Sequence, residues 1–390
     1  MERRYGLDWL RIGAFGLLIF YHIGMFFVPW EWHVKTARPL DWAEIPMLAT
    51  NAWRLALLFL ISGVASRFLL DKLAGAGAGA GAFARQRSAR LLIPLAAGIM
   101  LFVAPQPWAE LQEKAGYAHG FWHFWIDDYF RFGTLEGIIL PTYNHLWFVA
   151  YLWVYTMLLA LAATLLPAGA GAQLQRAFDR LFGGAALLWL PILIFWAARA
   201  TLYPVFGETH ALVDDWYNHL VYGGVFLFGV GLARSAAVWN AVVRLWRPAA
   251  VLAIGGYLAV VYYVAILPDA ISEAEPWVTL MRGVRSAHMW GAILALLALA
   301  HLKLNRDTPA RRYLTEAVFP YYIAHQTIIV LVGHGLKPYA LNSATEFVVI
   351  LVVTVVGCAI TYEVARRMPS TGVLLGLRWQ PSHRLSLRRA

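Results

Sequence analysis

The chain has 390 residues, of which 60% are hydrophobic and only 14% charged, against roughly 25% charged residues in an ordinary soluble domain. That balance excludes a water-soluble globular fold and predicts an all-α, polytopic membrane bundle. The net charge of +10 is scattered between apolar runs, which predicts positive cytoplasmic loops rather than nucleic-acid binding, and the single cysteine, Cys358, excludes an intramolecular disulfide.

A transmembrane helix needs about 20 predominantly apolar residues. Ten segments approach that length: 8–28, 50–70, 88–104, 146–166, 184–203, 219–234, 249–267, 285–303, 314–333 and 345–365. The sixth is short and Pro320 interrupts the ninth. Basic residues precede the first run, as in a signal peptide, but the run is long, ends in aromatics and lacks a small-residue cleavage site. It reads as an uncleaved first helix.

That first helix carries Arg11 and His22 at opposite ends of Arg11-IGAFGLLIFY-His22. Eleven residues rotate only about 20° past three full turns, so both side chains leave one face, about 16 Å apart along the axis. Ionisable groups inside a span are expensive and usually functional. Taken singly, Arg11 suits interfacial snorkelling and His22 a packing hydrogen bond; together on one face they suggest a path across the bilayer. Asp8, three residues before Arg11, is expected to pair with it across one turn.

In the second segment, the Ser62-Gly63 step favours close helix packing over nucleophilic chemistry. Gly75-AGAGAGA reads as a flexible linker and lacks the GK[ST] of a phosphate-binding loop. Arg87 and Arg90 follow, three apart on one helix face at the start of the third segment, a spacing that can hold phosphate oxygens. Residues 105–145 form the largest external segment, in which Gly120-FWHFWIDDYFRF suggests a helix lying in the interface. His145 opens the fourth segment, placed either to orient His22 or bind an acceptor, or for packing alone. His325 follows Pro320 in the ninth and needs a partner there. His33 lies just outside the first helix and reads as a loop tip; Cys358 reads as a buried, inert thiol. No Cys/His spacing suggests a metal site.

Charge asymmetry orients the chain. Arg and Lys concentrate at the N-terminus, in the loops entered from even-numbered segments and in the basic tail 366–390, which includes Arg378, Arg384, Arg388 and Arg389. The opposite loops cluster acids such as Glu110, Glu113, Asp127, Asp128, Asp214 and Asp215. Both termini are therefore expected in the cytoplasm, with 1–390 forming one transmembrane domain of the cell inner (cytoplasmic) membrane. A homo-oligomer is compatible with this pattern. Two functional classes fit the residues: an enzyme acting across the membrane, and a secondary transporter or flippase for an amphipathic anion. No internal repeat favours the transporter.

Several motifs resemble those of the acyltransferase-3 family of integral membrane acyltransferases. They are the Arg11-to-His22 spacing, Arg87-x-x-Arg90, Phe59-LISG, His145-LWFVAYL and Pro320-YYIAH, in family order along most of the chain. Within the family, Trp30-EWHVK and the expected absence of a fused domain most resemble the branch that includes the periplasmic glucan succinyltransferase. The resemblance implies O-acyl transfer, acetyl or succinyl, from cytoplasmic acyl-CoA as co-substrate to a hydroxyl of a periplasmic or cell-surface glycan. It implies phosphate contacts at Arg87, Arg90 and Arg11, and His22 as general base, with an acyl-histidine route left open. His145 and His325 are the further candidates for contact with substrate. Among the outer-half cations Arg54, Arg199, Arg282 and Arg285, none is singled out as the holder of an acyl carboxylate.

Overall fold

Every one of the ten apolar runs lies on helix in the computed structural model, which describes residues 4–167 and 169–377. The main helices are α1 (Tyr5–Phe27), α2 (Glu44–Asn51), α3 (Arg54–Gly75), α4 (Gly79–Ala97), α5 (Pro105–Lys114), α6 (Trp147–Leu165) and α7 (Ala170–Phe182). They continue with α8 (Ala186–Thr201), α9 (Trp216–Leu232), α10 (Ala236–Arg244), α11 (Trp246–Ala265), α12 (Glu275–Lys303), α13 (Pro309–Leu336) and α14 (Ser343–Arg367). Among the described residues, eight helices are long and apolar enough to cross a membrane, or nine if α9 and α10, bent by 110° at their junction, count as one span. The remaining run, 314–333, lies on α13, which continues unbroken through Pro320; the polar stretch His325-Gln326-Thr327 dilutes its apolar character. The protein is a multi-pass, nearly all-α membrane protein.

Two expectations change. The Gly/Ala tract is mostly helical: α3 ends at Gly75 and α4 begins at Gly79, with Gly77 and Gly79 at φ +73° and +68°. Left-handed glycines close the turn, and the alanines extend the following helix. The segment expected to be external, 105–145, also opens on helix. A π-helical stretch, Gly98–Val103, joins α4 to α5, so helix continues to Lys114. Arg3 and the tail cations from Arg378 onward lie outside the described residues.

The chain divides into two compact units. The first comprises Met1–Leu17, Glu44–Arg87 and Tyr151–Thr315. Backbone-to-backbone glycine contacts hold it together. A Cβ on Gly63 of α3 would lie 2.0 Å from the Phe226 carbonyl oxygen of α9, and one on Gly229 of α9 would lie 2.1 Å from that of Leu60. Small residues let helices approach this closely in lipid, where dispersion and close packing drive association. Gly291 of α12 meets α11 similarly, 2.7 Å from the Ala249 oxygen, and Gly6 of α1 meets α12, 2.4 Å from that of Ala300. Asp8 takes Arg311 of α13 as an ion-pair partner at 2.5 Å. In the preceding loop, hydrogen bonds from Arg312 and Arg311 pull the Asp307 carboxyl down to about 2.

The second unit comprises Leu18–Ala43, Ser88–Ala150 and Glu316–Ala390. Its core joins Ile23 and Phe26 of α1, Ala109 of α5, Ile329 and Val330 of α13 and Ile350 of α14. A smaller cluster around Phe124, Tyr129 and Leu140 anchors the segment after α5. There the aromatic stretch is helical from Phe121 to Asp128, with Trp122 and Ile126 exposed, and a two-stranded hairpin follows, β1 (Gly133–Leu135) against β2 (Ile138–Leu140) with Thr134 opposite Ile139.

The glycine contact between α3 and α9 makes a matched prediction. Gly63→Ala should lower the thermal unfolding midpoint in detergent, at a cost of about 1–3 kcal/mol for overpacking. Gly255→Ala on α11, where an added Cβ meets nothing within 4 Å, should leave the midpoint unchanged or slightly raised. Equal midpoints for the two variants would contradict the packing described.

Candidate active site

The second unit gathers the polar residues that its apolar helices carry inward. His22 lies on α1 and His325 on α13, 303 residues apart in sequence. His22 Nδ1 and His325 Nε2 are 2.7 Å apart, and the ring planes differ by 8° with centroids 4.9 Å apart. Trp32, in the loop after α1, stacks near His22 at 6.4 Å between centroids. His325 is fully buried and His22 partly so.

The partners assign the protons. His325 Nδ1 lies 2.7 Å from the Tyr322 carbonyl oxygen, one turn earlier on α13. A carbonyl only accepts, so Nδ1 carries the hydrogen and, in a neutral ring, Nε2 carries the lone pair. His22 Nδ1 must then donate to His325 Nε2, which leaves the basic lone pair of a neutral His22 on Nε2. The pair thus fixes which His22 nitrogen accepts a proton.

His145, at the entrance to α6, is buried and edge-on to His325, with centroids 5.2 Å apart. Its Nε2 donates toward the Tyr322 and Ile323 carbonyls at 3.1 and 3.2 Å. The Tyr322 hydroxyl in return donates to the His145 carbonyl. One carbonyl, that of Tyr322, therefore receives hydrogens from both His145 and His325.

Behind these rings lies a network that the sequence reading missed. Gln106, fully buried on α5, donates from Nε2 to Thr327 Oγ1 at 2.7 Å and toward His145 Nδ1 at 3.4 Å. Gln106 Oε1 accepts from Asn144 and Gln326, both at 3.0 Å. Gln326 Nε2 also donates to His33 Nε2 at 3.1 Å, so His33 bears its hydrogen on Nδ1 and donates to Glu110 at 2.5 Å. Lys114 closes the chain on Glu110 at 2.9 Å. His33 is thus part of a network, not a loop tip, and Glu110 is paired with both His33 and Lys114. The available signal was a pair of amides, Gln106 between two prolines just after the third apolar run and Gln326 beside His325 in the ninth. Lys35, in the loop after α1, donates to the Met25 and Val28 carbonyls and so caps α1's C-terminal end; burial pulls its ammonium down to about 8.

The other predicted residues stand elsewhere. Arg11 lies in the first unit and donates from Nη2 to the Thr315 carbonyl at 3.0 Å. It shares the unbroken α1 with His22. Arg87 and Arg90 lie three apart on α4, the first half-buried and the second exposed. Cys358 is buried and points toward the Tyr321 carbonyl. Among the described residues, no group of three or more His, Cys, Asp or Glu side chains has metal-holding geometry.

A family model described as an acyltransferase domain matches residues 4–363. The chain belongs to the acyltransferase-3 family. It is 23% identical over 374 residues to the glucans biosynthesis protein C of Salmonella gallinarum and to that of Salmonella schwarzengrund, with 94% of this chain and 93% of each relative covered. The protein of that name from Salmonella agona is 23% identical over 381 residues with the same coverage. No solved structure matches the chain. Membership places the protein among membrane acyltransferases, not among the carriers that its helix content also suits.

Gln106 is the hub on which the network's geometry depends. Gln106→Leu, close in volume, removes the shared acceptor of the half-buried Asn144 amide and the buried Gln326 amide, each loss worth about 1–3 kcal/mol. The expected result is a fall in unfolding free energy of about 2–4 kcal/mol, read as a lower thermal midpoint. A wild-type midpoint would show that the network does not hold the site.

Proposed function

We propose that this protein transfers an acyl group, acetyl or succinyl, from acyl-CoA to a hydroxyl of an extracytoplasmic glycan, with His22 as the general base. The observation that carries the proposal is the proton assignment in the His22–His325 pair, which directs the lone pair of neutral His22 to Nε2. Family membership supports acyl transfer, and the names of the curated relatives support a glucan acceptor.

In the proposed step, His22 Nε2 takes the proton of the acceptor hydroxyl as its oxygen attacks the thioester carbonyl. The C–S bond breaks, and the CoA thiolate leaves and takes up the proton. His325 is a positioning residue. It accepts the His22 Nδ1 hydrogen, holds the ring's tautomer and stabilises the imidazolium as it forms, as an orienting partner does in other base-assisted acyl transfers. His145 supports it through the Tyr322 carbonyl. Arg87 and Arg90, with a one-face spacing on α4, and Arg11, about 16 Å from His22 along α1, are assigned to the phosphate-bearing arm of CoA. The positive loops orient that arm toward the cytoplasm of a bacterial inner membrane.

The test uses purified protein in liposomes with radiolabelled acetyl-CoA or succinyl-CoA and a β-glucan oligosaccharide. His22→Ala should reduce kcat by about 10²–10⁴-fold, the usual contribution of a general base. His325→Gln, whose amide oxygen still accepts from Nδ1, should retain more kcat than His325→Ala. Arg87→Ala and Arg90→Ala should act mainly on the KM for acyl-CoA, by about tenfold. Full acylation by the His22→Ala protein would overturn the mechanism.

A further inference from the structure

The first unit contains a second polar site that lies outside the proposed reaction centre. Arg199 near the end of α8 and Arg282 and Arg285 in the first half of α12 line one cavity of about 230 Å³. The volume is far above the ~10–15 Å³ that one water requires. Arg282 and Arg285, three residues apart, share a helix face. No carboxylate lines this cavity among the described residues. A smaller adjoining cavity of about 40 Å³ is also lined by Arg199 and Arg285, and adds a single acid, Glu208.

Two of the arginines are held in place. Arg199 donates from Nη1 to the Tyr217 hydroxyl at 2.7 Å and to Glu208 at 3.2 Å, and its guanidinium lies 4.5 Å from the Tyr203 ring centroid. Arg285 donates to Asn51 at 2.7 Å. Arg282 is half-buried and has no carboxylate partner among the described residues. Three guanidiniums and one carboxylate line the two cavities, and such a preponderance of positive charge is costly within a membrane unless an anion shares it.

The opposite wall is apolar: Val260 and Val264 from α11, and Val278 and Met281 from α12. Val264 is 46% exposed, and its neighbours Tyr262 and Leu280 present 54% and 48% of their surface outward. The cavity therefore opens through the outward apolar faces of helices that span the membrane. A cationic floor behind an apolar mouth fits an amphiphile with a phosphate head and a hydrocarbon tail, not a sugar or a free polar anion. We propose that Arg199, Arg282 and Arg285 bind the phosphate of an anionic phospholipid whose first acyl methylenes lie on the Val260–Val264–Met281 wall. The site is independent of acyl transfer at His22.

Native mass spectrometry of the full-length protein, released from nanodiscs of equal phosphatidylglycerol and phosphatidylcholine, tests this directly. The wild type should retain one phosphatidylglycerol in preference to phosphatidylcholine. Arg282→Gln, which removes no side-chain hydrogen bond or ion pair among the described residues, should reduce that retention at least about tenfold, the loss expected for one charge-assisted contact. Arg282→Lys should fall between the two. Size-exclusion elution and helical circular dichroism identical to wild type confirm that the variants fold. A parallel arm adds millimolar inorganic phosphate to lipid-free protein. Stabilisation by phosphate without lipid retention would overturn the lipid assignment in favour of a free anion. Equal retention of the two lipids, or retention unchanged in Arg282→Gln, would overturn the site.

Discussion

A carbonyl oxygen can accept a hydrogen bond but cannot donate one, and the site depends on that asymmetry. The Tyr322 carbonyl receives His325 Nδ1, which makes His325 Nε2 an acceptor, which makes His22 Nδ1 a donor. A lone imidazole in an apolar span would exchange between tautomers, and only one of them presents Nε2 as a base. Here one backbone group on α13 decides the chemistry of a side chain on α1. The same carbonyl receives His145, so two histidines share it directly and His22 is tied to it through His325.

The surrounding structure holds that carbonyl and those rings in register. Buried amides are costly in hydrocarbon unless every donor and acceptor is used. Gln106 meets this condition by linking Asn144, Thr327, Gln326 and His145, and the chain of contacts continues through His33 to Glu110 and Lys114. The network occupies α5, the middle of α13 and the loop after α1. In the first unit, glycines set helix spacing instead: Gly63 and Gly229 bring α3 and α9 into backbone contact.

Much of this was legible in the residues. Length and hydropathy located the helices, the period of the α-helix placed Arg11 and His22 on one face, and Ser62-Gly63 marked a close packing step that Gly63 makes. His22, His145 and His325 were each visible as polar groups inside apolar runs. Their mutual arrangement was not visible, because helical periodicity reports which face a residue occupies and not which distant helix that face meets. The Asp8–Arg311 pair, separated by 303 residues, is of the same kind. The convergence of Arg199, Arg282 and Arg285 was hidden for the same reason: the sequence offers them, with Arg54, as outer-half cations and does not say which of them meet. The Gly/Ala tract was misjudged because glycine content masked alanine's helix propensity.

The central claim is that the His325 contact holds the proton of His22 on Nδ1 and its basic lone pair on Nε2. Solid-state nitrogen-15 NMR of ring-labelled histidine in reconstituted membranes, with the His22 signals assigned by their loss in His22→Ala, measures this directly. The expected spectrum shows a protonated Nδ1 and an unprotonated Nε2 for neutral His22, with a coupling between His22 Nδ1 and His325 Nε2 across the hydrogen bond. A His22 ring protonated on Nε2, or one with no coupling to His325, would contradict the proposed centre.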